Sequence, residues 1–240
     1  GELADAEWSE DSSRFAFVSV SRDHKDVTLR TADPETGTIR DILEEKVDTF
    51  FESGYRDVNW RVLHDSNEVI WFSQRDNWGH LYLYDLDSGN LKHQITSGSW
   101  NAVQILRIDR KNRVLYFTGC GRETGDPYFE YFYRINMDGS GLTLLSPGTA
   151  NHSIFLSESG DFFVDSYSTP VEPPTAVVRN LQGKDLLTIE KADISRLIAT
   201  GWKPPVPFSV EARDGETDLY GVMFKPTHFD PDKKYPIINA

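Results

Sequence analysis

Apolar residues along the chain gather in short runs that end at a small hydroxyl: Phe15-Ala16-Phe17-Val18-Ser19, Val69-Ile70-Trp71-Phe72-Ser73, Val114-Leu115-Tyr116-Phe117-Thr118 and Phe162-Phe163-Val164-Asp165-Ser166. They begin at residues 15, 69, 114 and 162, so the pattern recurs about every 45 to 54 residues. Aromatic and β-branched side chains dominate the runs and turn formers bound them, which predicts buried strands. A second strand-like segment follows each run and ends in a turn: Val27 to Ala32, His80 to Leu86, Tyr131 to Met137 and Ala176 to Leu181. Within Leu81-Tyr82-Leu83-Tyr84 the alternation puts two tyrosines on one face and two leucines on the other. Gly37, Gly89, Gly141 and Gly183 then supply the left-handed backbone that tight turns require and lead into outer strands over Thr38 to Leu43, Leu91 to Thr96, Leu142 to Leu145 and Lys184 to Ile189. The fourth member of each unit precedes its apolar run, over Leu3 to Trp8, Asp57 to Leu63, Ala102 to Ile108 and His152 to Leu156.

Four short antiparallel strands recurring as a register of four predict an all-β fold of β-propeller type rather than a sandwich. The four blades are expected at about 1–46, 55–97, 100–147 and 150–190. After Lys191 the period changes. Ile194, Leu197 and Ile198 have helical spacing, which predicts a short helix over Ala192 to Thr200, and Trp202 to Pro207 reads as a proline-stiffened linker, so 192–207 connects two regions. Phe208 to Ala212 and Leu219 to Phe224 predict a hairpin, Pro231 to Tyr235 a loop, and Pro236-Ile237-Ile238-Asn239-Ala240 a buried strand.

Composition narrows the function. With 240 residues and 38% hydrophobic content the chain is long enough for a substantial core, and its longest apolar stretches, such as Val69 to Phe72, fall far short of a membrane-spanning helix. A net charge of −13 repels phosphate backbones and disfavours nucleic acid as a partner. The single cysteine, Cys120, makes neither an intramolecular disulfide nor a zinc-knuckle spacing, and reads as a small buried or half-buried residue. Gly1 to Asp5 has no basic segment leading into an apolar one, so it does not read as a signal peptide.

Reactive motifs are scarce. No Gly-x-Ser-x-Gly elbow occurs, and His24, His64, His80, His93, His152 and His228 never fall at a metal-ligand spacing, so no metal or cofactor is expected and the histidines read as surface or satisfied structural groups. Gly119 to Gly125 resembles a dinucleotide fingerprint but holds Thr124 at the third glycine position and reads as a hairpin loop. Asp85-Leu86-Asp87-Ser88-Gly89 lacks the later ligands of a calcium loop and reads as a β-turn. Asn151-His152-Ser153 is a formal glycosylation sequon. Glu7 with Glu10 and Asp11, and Glu44 with Glu45, read as solvated acidic faces. What remains is Tyr55, Arg56, Trp60 and Arg61 at a blade entrance, where a Trp beside an Arg suits peptide contact. Blade-to-blade packing of Trp60 and a turn ion pair for Arg56 is the competing reading.

Trp71-Phe72-Ser73-Gln74-Arg75-Asp76-Asn77-Trp78-Gly79-His80-Leu81-Tyr82-Leu83-Tyr84-Asp85, followed by Ile95-Thr96-Ser97-Gly98-Ser99-Trp100, resembles the later propeller blades of dipeptidyl peptidase IV-like enzymes of the prolyl oligopeptidase family. Gly221 to Asp230 with Lys233-Lys234-Tyr235-Pro236-Ile237-Ile238 resembles the segment where those enzymes enter their α/β-hydrolase domain. The resemblance implies that 1–191 is part of an eight-bladed ring, that 208–240 opens a truncated hydrolase domain, and that the parent is a serine exopeptidase. Such an enzyme removes N-terminal dipeptides or tripeptides after proline or alanine, and its propeller walls the chamber. It also places Arg56, Asn59 and Trp60 near the distal side of the substrate pocket. Nucleophile, acid, base and amine-binding glutamates are not matched in this sequence, and Glu44-Glu45 resembles the last by composition only. The chain alone is therefore expected to be inactive, and open blade faces lead to an expectation of self-association as a homo-oligomer. Family habit suggests export to the periplasm or outside the cell, or anchoring by an upstream segment. A stand-alone propeller that binds a protein or glycan is the alternative.

Overall fold

A computed structural model describes residues 6–52 and 59–238. Four antiparallel sheets of four strands follow one another, each with its strands in chain order across the sheet. The first holds β1 (Ala6–Trp8), β2 (Phe15–Val20), β3 (Asp26–Ala32) and β4 (Ile39–Lys46). The second holds β5 (Arg61–Leu63), β6 (Glu68–Ser73), β7 (His80–Asp85) and β8 (Leu91–Gln94). In the third are β9 (Asn101–Asp109), β10 (Val114–Cys120), β11 (Glu130–Asn136) and β12 (Thr143–Leu144), and in the fourth β13 (Asn151–Leu156), β14 (Phe162–Ser168), β15 (Thr175–Asn180) and β16 (Asp185–Lys191). A five-residue helix α1 (Ser195–Ala199) and a hairpin of β17 (Val206–Glu211) and β18 (Asp218–Met223) follow. The strand quadruplets agree with the predicted all-β propeller blades. Two compact units divide the chain at residues 1–149 and 150–240, so the first three sheets share one unit and the fourth sheet and hairpin share the other.

In the first unit, strand alternation feeds two cores from one sheet. Ile70 and Phe72 of β6 and Leu81 and Leu83 of β7 pack with Trp100, Ile105, Leu115, Phe117 and Tyr133 of the third-sheet side. Val69 and Trp71, with Tyr82 and Tyr84, point the other way and pack with Leu29, Leu43, Phe51 and Trp60. The leucine and tyrosine faces predicted for Leu81 to Tyr84 thus serve different cores, because successive side chains of a strand leave opposite faces. Turn chemistry follows the sequence as well. Gly89 has φ +67°, and a Cβ there would collide with the Ile42 carbonyl on the neighbouring sheet, so only glycine permits this approach.

In the second unit, the fourth sheet pairs in continuous register from β13 to β14 and β15, and β16 joins with two irregularities. Two sequence expectations change here. The predicted helix is shorter, and Leu197 and Ile198 are exposed, so α1 has no face to bury and stops after five residues. Residues 236–238 form no strand, and Ile237 and Ile238 are 94% and 91% exposed. A strand exists through its hydrogen-bonded neighbour, and no described strand pairs with this segment; Asn239 and Ala240 lie outside the described residues.

Candidate functional site

Of the three residues predicted to contact substrate, Arg56 lies outside the described residues, as does Tyr55. Asn59 and Trp60 are 1% and 2% exposed. The Asn59 side-chain amide donates to the Val103 carbonyl, and its Oδ1 accepts the Ile105 N–H at 3.0 Å, tying the start of the second sheet to β9. Trp60 packs in the core between the first and second sheets, and its Nε1–H is buried without a hydrogen-bond partner among the described residues.

The first strands of the three sheets in this unit converge. Glu7 of β1, Arg61 of β5, Ile105 to Ile108 of β9 and Arg110 in the following turn line one cleft of about 260 Å³. Through Glu7 and Arg110 it adjoins a wider cleft of about 670 Å³, where Arg14, His64, Asp65 and Asp87 are among the lining residues. In a propeller the first strand of each blade lines the central channel, which makes this the channel edge. Burial pushes the Glu7 carboxyl above its ordinary pKa, while the Val62 N–H at 3.3 Å and the charges of Arg61 and Arg110 oppose the rise. Arg110 donates to Glu10 at 2.8 Å and lies 3.6 Å from Asp65. Arg61 donates to the Trp60 carbonyl at 2.8 Å. Arg107 Nη1 is buried with no hydrogen-bond partner among the described residues. Desolvation, with Arg14 nearby, pulls the His64 pKa down, so its neutral form predominates at neutral pH.

Sequence reasoning missed Arg107, although the repeat carries a signal for it. Glu7 and Arg61 pair with the second residue of the following apolar run, Ala16 and Ile70, and Arg107 with the third, Tyr116. A charged residue near the start of the run's pairing in each successive first strand, displaced by one position beside the register irregularity in the third sheet, marks a shared lining.

The acidic patches are corrected in part. Glu45 was expected to be solvated, yet its side chain is only 8% exposed. It accepts from Trp71 Nε1 at 2.7 Å, from the Ser73 hydroxyl, and from Arg75 Nη2 at 3.0 Å, joining the first sheet to the second. Alternation along β4 explains the difference: Glu44 faces solvent and its neighbour Glu45 faces the next sheet. Glu7 is half-buried as well. Arg75 also stacks 4.3 Å over the Tyr82 ring, and burial, with Asp76 beside it, pushes the Tyr82 phenol up to about 12. Glu45 and Arg75 line a further cleft with Phe50, Asn77 and Tyr84, but their polar atoms are spent on one another and on Tyr84.

Other motifs sit as plain structure. Asp85 Oδ1 accepts the Ser88 N–H and hydroxyl in a tight turn. His80 is buried between the Thr96 hydroxyl and the Gly98 carbonyl. His152 Nδ1 lies 2.8 Å from Asp165, which also accepts from Arg179 Nε at 2.8 Å. Cys120 is half-buried, and burial raises its thiol pKa. Among the described residues no group of three His, Cys, Asp or Glu side chains is placed to hold a metal, and no helix is long and apolar enough to cross a membrane.

With this geometry established, comparison with known proteins gives a consistent result. Residues 2–174 match the family described as dipeptidyl peptidase IV (DPP IV) N-terminal region. The chain is 28% identical over 247 residues to dipeptidyl peptidase 4 of Trichophyton tonsurans, covering 99% of this chain and 31% of that protein. It is 29% identical over 156 residues to human dipeptidyl peptidase 8, covering 60% of this chain and 17% of that protein. The fold superposes on the crystal structure of Porphyromonas gingivalis dipeptidyl peptidase 4 with a TM-score of 0.76 at 21% identity, covering 94% of this chain and 31% of that one. On a putative dipeptidyl aminopeptidase IV from Bacteroides ovatus ATCC 8483 the TM-score is 0.78 at 24% identity, covering 98% and 35%. The chain thus spans about a third of the length of the curated dipeptidyl peptidases 4 it matches. A family match across most of the sequence and four propeller-type sheets agree: this chain belongs to the dipeptidyl peptidase IV N-terminal region family.

Proposed function

We propose that this chain is the propeller portion of a serine exopeptidase that removes dipeptides or tripeptides after proline or alanine from peptide N-termini. Residues 1–191 wall the substrate chamber, 192–207 connect, and 208–240 open the hydrolase domain. The observation that carries this reading is the family match over residues 2–174, laid on sheets whose first strands line a polar cleft rather than a packed core. The sequence carries no Gly-x-Ser-x-Gly elbow, and on this reading the 240-residue chain is inactive by itself. Substrate contact is assigned to Arg56 and not to Asn59 and Trp60, which are 1% and 2% exposed and are spent on β9 and on the core between the first and second sheets.

The test is hydrolysis of Gly-Pro and Ala-Pro chromogenic substrates. The full-length protein that contains this chain is expected to release the chromophore, and the 240-residue chain is not. Arg56→Ala in the full-length protein is expected to raise KM about tenfold with a smaller change in kcat, as loss of uniform substrate binding requires. Full-length protein without activity on either substrate, or activity in the short chain, contradicts the reading.

A further inference from the structure

The cleft at the converging first strands is electrostatically out of keeping with the chain. The protein carries a net charge of −13, yet among the described residues this cleft is lined by Arg61, Arg107 and Arg110 and a single carboxylate, Glu7. The neighbouring acids are already committed. Glu10 and Asp65 are held by Arg110. Asp109 accepts the backbone N–H of Asn112 at 3.0 Å and its side-chain amide at 2.9 Å. Glu7 accepts the Val62 N–H, and burial disfavours its ionised form. Arg107 Nη1 is therefore left buried with no hydrogen bond among the described residues. A guanidinium nitrogen withdrawn from water and given no acceptor is costly, and native structures keep such groups where something else supplies the acceptor.

We propose that the cleft formed by Arg61, Arg107 and Arg110 is a carboxylate-binding subsite on the channel wall, taking an acidic side chain or the C-terminal carboxylate of a bound peptide. A carboxylate is the natural acceptor because a planar guanidinium presents paired donors at its spacing. Size points the same way: about 260 Å³ admits one carboxylate group and a short stem, and the adjoining cleft of about 670 Å³ leaves room for the flanking residues of the peptide. The subsite rests on the reading that peptides enter this channel, and it adds a preference for acidic ones that proline or alanine specificity does not contain.

The test uses the 240-residue chain and fluorescence anisotropy, so that it reads binding and not cleavage. Three labelled hexapeptides are compared: a C-terminally amidated one with an internal glutamine, its glutamate counterpart, and the glutamine peptide with a free C-terminus. At least one acidic peptide is expected to bind about tenfold tighter than the neutral one at low salt, and which of the two gains identifies the source of the carboxylate. Arg107→Gln is expected to abolish the difference and Arg110→Gln to reduce it severalfold. Arg134→Gln, which removes the same charge from an exposed position on β11, is expected to leave it intact. Should Arg107→Gln lose its β-sheet circular dichroism, Arg110→Gln in the exposed turn carries the comparison. Equal affinity for all three peptides, no binding of any, or a preference unaffected by the cleft variants overturns the subsite. Those results leave the peptidase reading to stand on chromogenic hydrolysis by the full-length protein, which fails or succeeds independently.

Discussion

The second and fourth sheets share one strand order and sit in opposite surroundings. All six residues of β6 are buried, as are five of six in β7, because cores lie against both faces of the second sheet. All seven residues of β16 are exposed, and Phe155 and Phe162 of the fourth sheet are 65% and 47% exposed. Their buried charges differ in the same way. Glu68 on β6 accepts two hydrogen bonds from Arg113, at 2.7 and 3.1 Å, in the turn before β10, and so ties its sheet to the next. Asp165 on β14 is bonded to His152 on β13 and Arg179 on β15, all within one sheet. A blade is therefore stabilised in two separable ways: by neighbours that cover its faces, and by polar bonds that cross its own strands. The second sheet uses the first way and the fourth depends on the second.

The sharpest way to break this contrast is to remove the carboxylate at each place. Asp165→Ala strands the Arg179 guanidinium, whose side chain is only 5% exposed, with a remaining ion pair to Asp185 at the sheet margin. Removing one partner of a buried pair costs about 3 to 5 kcal/mol, so the variant is expected to lose hydrogen-exchange protection throughout β13 to β15 while the first three sheets keep theirs. Protection unchanged in β14 would mean that the His152, Asp165 and Arg179 set does not hold the sheet. Glu68→Ala removes a carboxylate of similar burial but leaves Arg113 46% and Lys92 35% exposed, so both cations turn to water. Its cost is expected to be smaller, about 1 to 2 kcal/mol by urea denaturation. Equal losses in the two variants would mean that the second and fourth sheets are held in the same way.

Buried carboxylates also show what could be read in the sequence. Strand quadruplets were legible because aromatic and β-branched runs such as Val69 to Phe72 are long enough to state a period, and Gly37, Gly89, Gly141 and Gly183 do adopt the left-handed backbone their turns need. Blade-scale structure is local, and local patterns survive in one dimension. Glu45 was not legible: beside Glu44 it reads as a solvated pair, and its partners Trp71, Ser73 and Arg75 lie 26 to 30 residues away on another sheet. Asp165 was hidden inside an apolar run for the same reason, since its partners are 13 and 14 residues distant and meet it only through strand register. At the candidate site, Arg61 was visible beside Trp60, whereas Arg107 required aligning first strands across repeats.

Exposed apolar surface supplies the next prediction. Leu187 and Ile189 on β16 are 61% and 50% exposed, and a sheet face of this kind favours association. Self-association proposed for the chain is expected to weaken severalfold in sedimentation equilibrium on Leu187→Lys with Ile189→Lys, while stability changes by no more than about 0.5 kcal/mol per site, as exposed positions permit. A wild-type chain that stays monomeric at micromolar concentration would remove association from the fourth sheet altogether.

The smallest expected effect is a difference in the sign of a pH dependence between two half-hidden glutamates. Burial opposes ionisation of Glu68, but hydrogen bonds from Arg113 and Lys92 outweigh it and hold its pKa below the ordinary 4.5. A depressed folded value means that its contribution is complete above the unfolded pKa and is lost as pH falls through the folded one. Glu7 is the reverse: burial raises its folded value above 4.5, so its contribution is complete below that pH and is lost as pH rises through the raised value. Urea denaturation between pH 3 and pH 7 is expected to show the wild type losing its advantage over Glu68→Gln toward acid and its advantage over Glu7→Gln toward neutrality. Parallel curves for the two variants would mean that the channel edge hydrates Glu7 as fully as open solvent does, leaving its carboxylate ionised and able to serve Arg107.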